Sequence, residues 1–157
     1  MDVAVVLAAF GMGIVAGLRS LTAPAVVCWT VFVGWMSLAG TPFAFLGSRF
    51  TLAIVTVLAL GEFIGDKLPK TPKRTARGPL LTRCLMGGLS GGSICAAARQ
   101  PVSVGVFVGI VGAILGAFSG YEIRRRLVKR LGVKDMYIAI AEDLIAIGLA
   151  IVFVRIG

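Results

Sequence analysis

The stretch VSVGVFVGIVGAILGAFSGYEIRRRLVKR, residues 102–130, decides the class of fold. Its first twenty residues, 102–121, carry no charge, and an α-helix needs about twenty apolar residues to cross the hydrocarbon core of a bilayer. Glycines recur in this stretch at spacings of three and four, which places them on one helix face that another helix can approach closely. They are Gly105, Gly109, Gly112, Gly116 and Gly120. The stretch therefore predicts a membrane-spanning helix that ends at a basic segment.

The composition of the whole chain agrees with this class. Of 157 residues, 58% are hydrophobic and only 15% are charged, whereas a soluble domain is about half apolar and about one quarter charged. The net charge is +9, and six Lys or Arg residues lie within residues 67–83 and six within 124–134. Basic runs that border apolar segments are typical of cytoplasmic loops. The expected partners are therefore anionic membrane lipids, not nucleic acid.

The sequence contains no motif for a metal, a cofactor or an enzymatic reaction. It has no His, and its three cysteines, Cys28, Cys84 and Cys95, are scattered through apolar segments. No spacing matches a zinc or iron–sulfur site, and no nucleophile stands beside a recognisable base. We expect a protein that is not an enzyme and binds no metal or cofactor.

Six apolar segments follow one another along the chain: 3–18, 21–47, 50–68, 84–98, 102–121 and 136–154. The second is long enough to contain a kink at Gly40 or Pro42. The first and fourth are shorter than the lower limit of about seventeen residues for a span. They are either tightly packed small-residue helices or arms of re-entrant hairpins. The predicted fold is an all-α membrane protein with a single transmembrane domain.

The basic runs also predict an orientation. With residues 67–83 and 124–134 on the cytoplasmic side, the third segment runs inward and the sixth runs outward. Each remaining pair of segments leaves and returns on the same side. Both termini are then expected on the outside.

An internal repeat is indicated at an offset of eighty residues, where Arg19 aligns with Arg99 and Glu62 with Glu142. Repeats of three segments must have opposite orientations, as in many transporters. The first repeat covers about residues 3–69 and the second about 84–154, joined by a basic loop over 70–83. The first two segments of each repeat would form a hairpin, re-entrant or fully crossing, with the arginine near its tip. The alternative is a chance match between apolar sequences.

Charged side chains within apolar segments are the candidate functional residues, because a charge at the bilayer centre costs at least about 2.5 kcal/mol. We predict substrate binding by Arg19, Arg99, Glu62 and Glu142. We predict ion coupling or support from Asp66, Lys67 and Asp143. An arginine at a hairpin tip would present a fork of donors to a phosphate or carboxylate. In the alternative interpretation, Asp66 and Lys67 mark a helix end, and the glutamates form structural ion pairs with Arg19 or Arg99.

Three motifs resemble those of a known family. They read AGLRSLTAP over residues 16–24, GEFIGDKLPKTP over 61–72 and AEDLIAIG over 141–148. Together they resemble the signatures of a bacterial membrane family catalogued only as a domain of unknown function, DUF4126. The resemblance implies a bacterial inner-membrane protein and groups the charged residues of the three motifs into one set. It implies no activity.

The predicted function is a small secondary transporter or lipid-headgroup translocator for an anionic substrate, coupled to protons or cations. The site would lie between the two repeats, and the glycine-rich faces would allow a homodimer. A passive ion channel would use the same charges as a constriction. A non-transporting scaffold would use them only as structural ion pairs.

Overall fold

The structure, a computed structural model, describes residues 2–65, 76–131 and 135–157. It contains six α-helices: α1 Val3–Leu18, α2 Thr22–Phe32, α3 Arg49–Gly65, α4 Arg77–Ala97, α5 Val102–Leu131 and α6 Asp135–Ile156. A short 3-10 helix, Ala44–Gly47, precedes α3. No strand occurs in the described part of the chain, so the predicted all-α fold is confirmed.

Three helices, α4, α5 and α6, are long and apolar enough to cross a membrane. The prediction that the fourth segment is too short was therefore wrong. Helix α4 begins at Arg77, well before the predicted start at Cys84, and has 21 residues. Pro79 lies in its first turn, where the missing backbone N–H has no helical acceptor to lose. Helix α1, with 16 residues, stays below the length of a full span.

The outer surface of the helices is apolar. Large side chains point away from the protein, with exposed fractions of 75% for Phe50, 68% for Phe107 and 68% for Leu144. A soluble monomer rarely exposes continuous apolar surface on this scale, whereas lipid tails match it. The surface and the three long apolar helices together indicate a membrane protein.

The second apolar segment, which has room for a kink at Gly40 or Pro42, does not form one continuous helix. Helix α2 ends at Phe32, and the chain turns at Gly34 (φ +79°) and Gly40 (φ +76°) before the 3-10 helix begins. Left-handed backbone of this kind favours glycine, which has no Cβ to clash. In this irregular stretch the Trp35 ring lies 4.5 Å from the Arg155 guanidinium carbon of α6.

The glycine face of α5 packs between α1 and α4, so the predicted close approach of helices to this face is confirmed. A Cβ at Gly109 would clash with the backbone of Gly87 in α4, and one at Gly112 would clash with the backbone of Phe10 in α1. Backbones can approach this closely only where side chains are absent. By contrast, among the residues that the structure describes, no other helix lies within 4 Å of the place a Cβ would take at Gly61 of α3.

The ion pairs between helices lie on one side of the bundle. Arg83, near the start of α4, reaches Gly17 at the end of α1, so these two helices are antiparallel. Farther along the same pair, Gly91 lies next to Ala9, and Gly157 at the end of α6 lies next to Ala8. We call the side that holds Arg83 the basic end and the side that holds Gly157 the terminal end.

Candidate ionic site at the basic end

Arg19 lies where α1 ends. Its backbone leaves the helical conformation (φ −142°, ψ 109°), which sends the chain into α2 and the side chain into the bundle. The residue has an exposed fraction of 0%. Its Nη2 forms an ion pair with Oδ1 of Asp143 in α6, whose side chain is 11% exposed. The guanidinium carbon also lies 5.5 Å from the centre of the Phe63 ring, a distance at which a cation is attracted to an aromatic face.

Glu62 of α3 holds the beginning of α2. Its Oε1 accepts hydrogen bonds from the backbone N–H and the hydroxyl of Ser20 at 2.8 and 2.6 Å, and its Oε2 accepts one from the backbone N–H of Leu21 at 2.9 Å. The first N–H groups of a helix have no partner within it. A carboxylate from a distant helix supplies that partner here, and its negative charge suits the positive end of the helix dipole.

Arg83 of α4 holds the end of α1. Its Nη1 donates a hydrogen bond of 2.7 Å to the carbonyl oxygen of Gly17, one of the last carbonyls of α1, which have no helical donor. Its Nη2 lies 3.8 Å from Oε1 of Glu62. The break between α1 and α2 is thus held from both sides by charged side chains of other helices.

A third pair joins α5 to α6, with Nη1 of Arg124 lying 3.6 Å from Oε2 of Glu142. The six residues of the three pairs form what we call the ionic cluster: Arg19, Glu62, Arg83, Arg124, Glu142 and Asp143. Arg83 lies six residues into α4, and Arg124 lies seven residues before the end of α5. At 1.5 Å per residue, the cluster lies roughly 10 Å inside the basic end.

The chemistry of the cluster follows from its balance of charge. Three arginines face three carboxylates, and the side chains named in these pairs are at most 15% exposed. Each buried charge requires a partner, because desolvation penalises it by several kcal/mol. Arginine stays protonated in proteins, so only the carboxylates can change their charge. The three pairs therefore balance one another's buried charge and link the helices at this level.

Comparison with protein families matches residues 6–156 to the family described as Domain of unknown function (DUF4126). The chain belongs to this family. Curated proteins and solved structures give no match. The match confirms the resemblance carried by the three sequence motifs of DUF4126, and the structure brings parts of all three motifs together at the ionic cluster.

The structure gathers four of the sequence-predicted site residues of this DUF4126 member and separates one. Arg19, Glu62, Glu142 and Asp143 belong to the ionic cluster. Arg99 does not, because it follows the end of α4 at the terminal end of the bundle and is exposed. The structure therefore does not bring Arg19 and Arg99 together, and substrate binding by Arg99 stays a prediction. Asp66 and Lys67 lie outside the described residues.

Two members of the cluster were missed, because Arg83 and Arg124 were assigned to the basic loops. Signals for both were present in the sequence. Pro79 favours a helix that begins just before it, which would place Arg83 on the second turn. Arg124 follows Gly116 and Gly120 at spacings of four, so it continues the glycine face that packs inside the DUF4126 bundle.

Proposed function

We propose that this protein is a small secondary transporter that carries an anionic group together with a proton. Arg19 is the anion-binding residue, and Asp143 is the proton-binding residue. One observation carries the proposal: a fully buried arginine at a break between two helices, paired with a carboxylate from a third helix. Such intramembrane charges at broken helices are where transporters bind substrates and ions.

The coupling follows from competition for Arg19. An anion can replace Asp143 at the guanidinium only when that carboxylate becomes neutral, because two negative charges on one buried arginine repel each other. Protonation of Asp143 and arrival of a monovalent anion at Arg19 leave the total charge of the ionic cluster unchanged. The desolvation penalty of a net charge is thereby avoided when the proton and the anion arrive together. The anionic group would be a phosphate or carboxylate, on a small solute or a lipid headgroup.

Glu62 is a positioning residue in this scheme. Both of its oxygens accept hydrogen bonds from the α1–α2 turn, so its protonation would break the cap that fixes Arg19. This refines the sequence prediction, in which Glu62 and Glu142 had equivalent roles. Glu142 instead pairs with Arg124 between α5 and α6, where it neutralises a second buried arginine.

The predicted inverted repeat and the cytoplasmic location of the basic end belong to the same proposal. The opposite ends occupied by Arg19 and Arg99 support an inverted relation between the halves. Glu62 and Glu142, however, lie at the same end, which does not fit a strict repeat. An alternating exposure of Arg19 would need α6 to move against α1, since their ion pair closes the site.

The test uses purified protein in liposomes with an inward proton gradient, offered radiolabelled phosphate, succinate or glycerol phosphate in turn. We expect saturable, gradient-driven accumulation of one of them. The substitution Asp143→Asn should leave exchange of the anion but abolish accumulation, whereas Arg19→Gln should abolish both. The control is Arg126→Gln, which removes an exposed arginine from α5. No uptake of any probe, or equal uptake by Arg19→Gln, would overturn the proposal, and gradient-independent flux that does not saturate would indicate a channel.

A structural scaffold is the second candidate, and one observation favours it. The ionic cluster ties α1, α3, α4, α5 and α6 together at one level. A double substitution, Arg19→Met with Asp143→Leu, separates the two functions. Replacing a buried pair by apolar side chains of similar size often preserves stability. A scaffold should then keep all cellular activity of the wild type, whereas a transporter should lose transport while it remains folded.

A further inference from the structure

Helices α5 and α6 enclose an apolar cavity near the basic end. The cavity measures about 190 Å³ and is lined mainly by Leu18, Ile123, Leu127, Ile138, Ala141 and Ile145. Ile123 is 56% exposed and Ile145 57% exposed, so the cavity opens sideways between the two helices, toward the surroundings of the bundle. In a membrane those surroundings are lipid.

The size and lining of the cavity indicate what kind of molecule it can hold. Sites for soluble ligands usually measure about 300–1,000 Å³ and contain several polar groups. This cavity is smaller, and its polar side chains are Arg124 and Glu142, which pair with each other. A thin apolar chain that enters from the side fits such a space, whereas a polar solute would lose hydrogen bonds with water without replacement.

Positive charge lies at the end of the cavity that faces the basic end. Arg124 forms part of its wall, but Glu142 balances its charge, so the positive charge that is available comes from Arg130. Arg130 follows Leu127 by three positions and Ile123 by seven, so it lies on the same face of α5, one turn farther out. Arg130 is exposed. Guanidinium groups bind phosphate through paired hydrogen bonds, so Arg130 is suited to the phosphate of a lipid whose acyl chain lies in the cavity.

We propose that this cavity is a binding site for an anionic phospholipid from the leaflet at the basic end. One acyl chain enters between α5 and α6, and the phosphate of the headgroup lies against the exposed Arg130. The occupant is a membrane phospholipid because the cavity opens sideways and its charged border is positive. Leu18, which precedes Arg19 in the chain, lines the cavity, and the lipid site does not depend on the transport proposal.

The experiment uses photoactivatable phosphatidylglycerol, with a diazirine in one acyl chain, in nanodiscs that hold the full-length protein. We expect peptides of α5 and α6 that line the cavity to be labelled, several-fold more than with the matching phosphatidylcholine. The substitution Ala141→Trp should fill the cavity and remove this labelling. The matched control is Ala53→Trp on α3, also at an exposed alanine, which should leave labelling unchanged.

The headgroup contact has its own pair of variants. Arg130→Gln should reduce the preference for phosphatidylglycerol over phosphatidylcholine several-fold, whereas Lys129→Gln, an equal change of charge one position away, should not. Equal labelling by both lipids in the wild type would overturn the proposal. So would unchanged labelling in Ala141→Trp, or equal effects of the two charge variants. If Ala141→Trp instead dissociates a dimer and no lipid labels the cavity, a second copy of the chain occupies it.

Discussion

The α1–α2 turn and the α4–α5 turn place an arginine just beyond the end of a helix rich in small residues, but they close in different ways. In the first, side chains from α3 and α4 satisfy the backbone, and Arg19 enters the core. In the second, Arg99 adopts a left-handed conformation (φ 56°) and remains exposed. There the backbone N–H of Gln100 donates to the carbonyl of Cys95 at 2.7 Å, and that of Arg99 donates to Ala96 at 3.1 Å.

The second pattern is a Schellman motif, in which the last carbonyls of a helix receive backbone N–H groups from the turn itself. A turn whose own backbone N–H groups satisfy the last helix carbonyls needs no side chain from another helix. At the α4–α5 turn, the arginine remains exposed. The first turn lacks such closure, so its geometry depends on Glu62, Arg83 and Asp143. An arginine after a small-residue helix therefore becomes part of a buried site only where other helices complete the turn.

The largest effect should come from Asp143→Ala, which leaves the Arg19 charge buried without its carboxylate. Removing one partner of a buried pair costs about 3–5 kcal/mol of unfolding free energy. The measurement is an SDS titration of the detergent-solubilised protein, followed by helical circular dichroism. Arg19→Met with Asp143→Leu should recover much of the loss. A double variant as unstable as the single one would contradict this account of the first turn.

A smaller loss is expected for Glu62→Gln. The amide keeps one acceptor, but its NH₂ group must face a backbone N–H at Ser20 or Leu21. Hydrogen bonds to a charged group contribute about 1.5–3 kcal/mol, and we expect a loss within that range in the same titration. Glu122→Gln, at an exposed carboxylate of α5, serves as control. If the two variants are equally stable, the cap on α2 is not needed.

The second turn should respond in the opposite direction. Arg99→Gly removes the Cβ penalty of the left-handed conformation, which is about 1 kcal/mol, and should raise the unfolding free energy by up to that amount. Arg99→Ala retains the Cβ and should give no gain. At the first turn, Arg19→Gly should destabilise strongly. If glycine raised the unfolding free energy at both positions, the two turns would not differ in the way described here.

The smallest effect is expected on the exposed face of α5. Arg126 pairs with Glu122 one turn earlier, at 2.8 Å, and its side chain is 69% exposed. Water and salt screen such a pair, so it contributes little. Arg126→Gln should leave both the SDS midpoint and transport unchanged. A clear loss of stability would show that charge count, and not burial, governs the basic end.

The sequence predicted the elements that depend on composition. Long uncharged runs identified the helices, and the cost of charge in lipid singled out Arg19, Glu62 and Asp143. The start of α4 was missed because Arg83 was interpreted as a loop residue. A buried arginine inside a helix becomes acceptable only when a distant carbonyl, here that of Gly17, accepts its N–H.

The remaining errors have the same origin in tertiary contacts. Arg99 occupies the position that aligns with Arg19. A sequence alignment, however, does not show whether a side chain is buried or which residues surround it. The break after Phe32 depends on left-handed backbone at Gly34 and Gly40. Glycine also occurs inside the packed helices of this chain, so a glycine in the sequence does not by itself indicate a break. Only the packing distinguishes Gly34 and Gly40 from the glycines of α5.

The long-range cap on α2 also constrains how the protein is made. Glu62 comes 42 residues after Ser20 in the chain, and Arg83 comes 66 residues after Gly17. A ribosome delivers them in order from the N-terminus, so α1 and α2 leave the translation machinery before any of the side chains that hold their junction. Among the side chains that hold this junction, Asp143 of α6 is the last to be synthesised. The junction between α1 and α2 therefore gains its full set of contacts only after the beginning of α6 has been made.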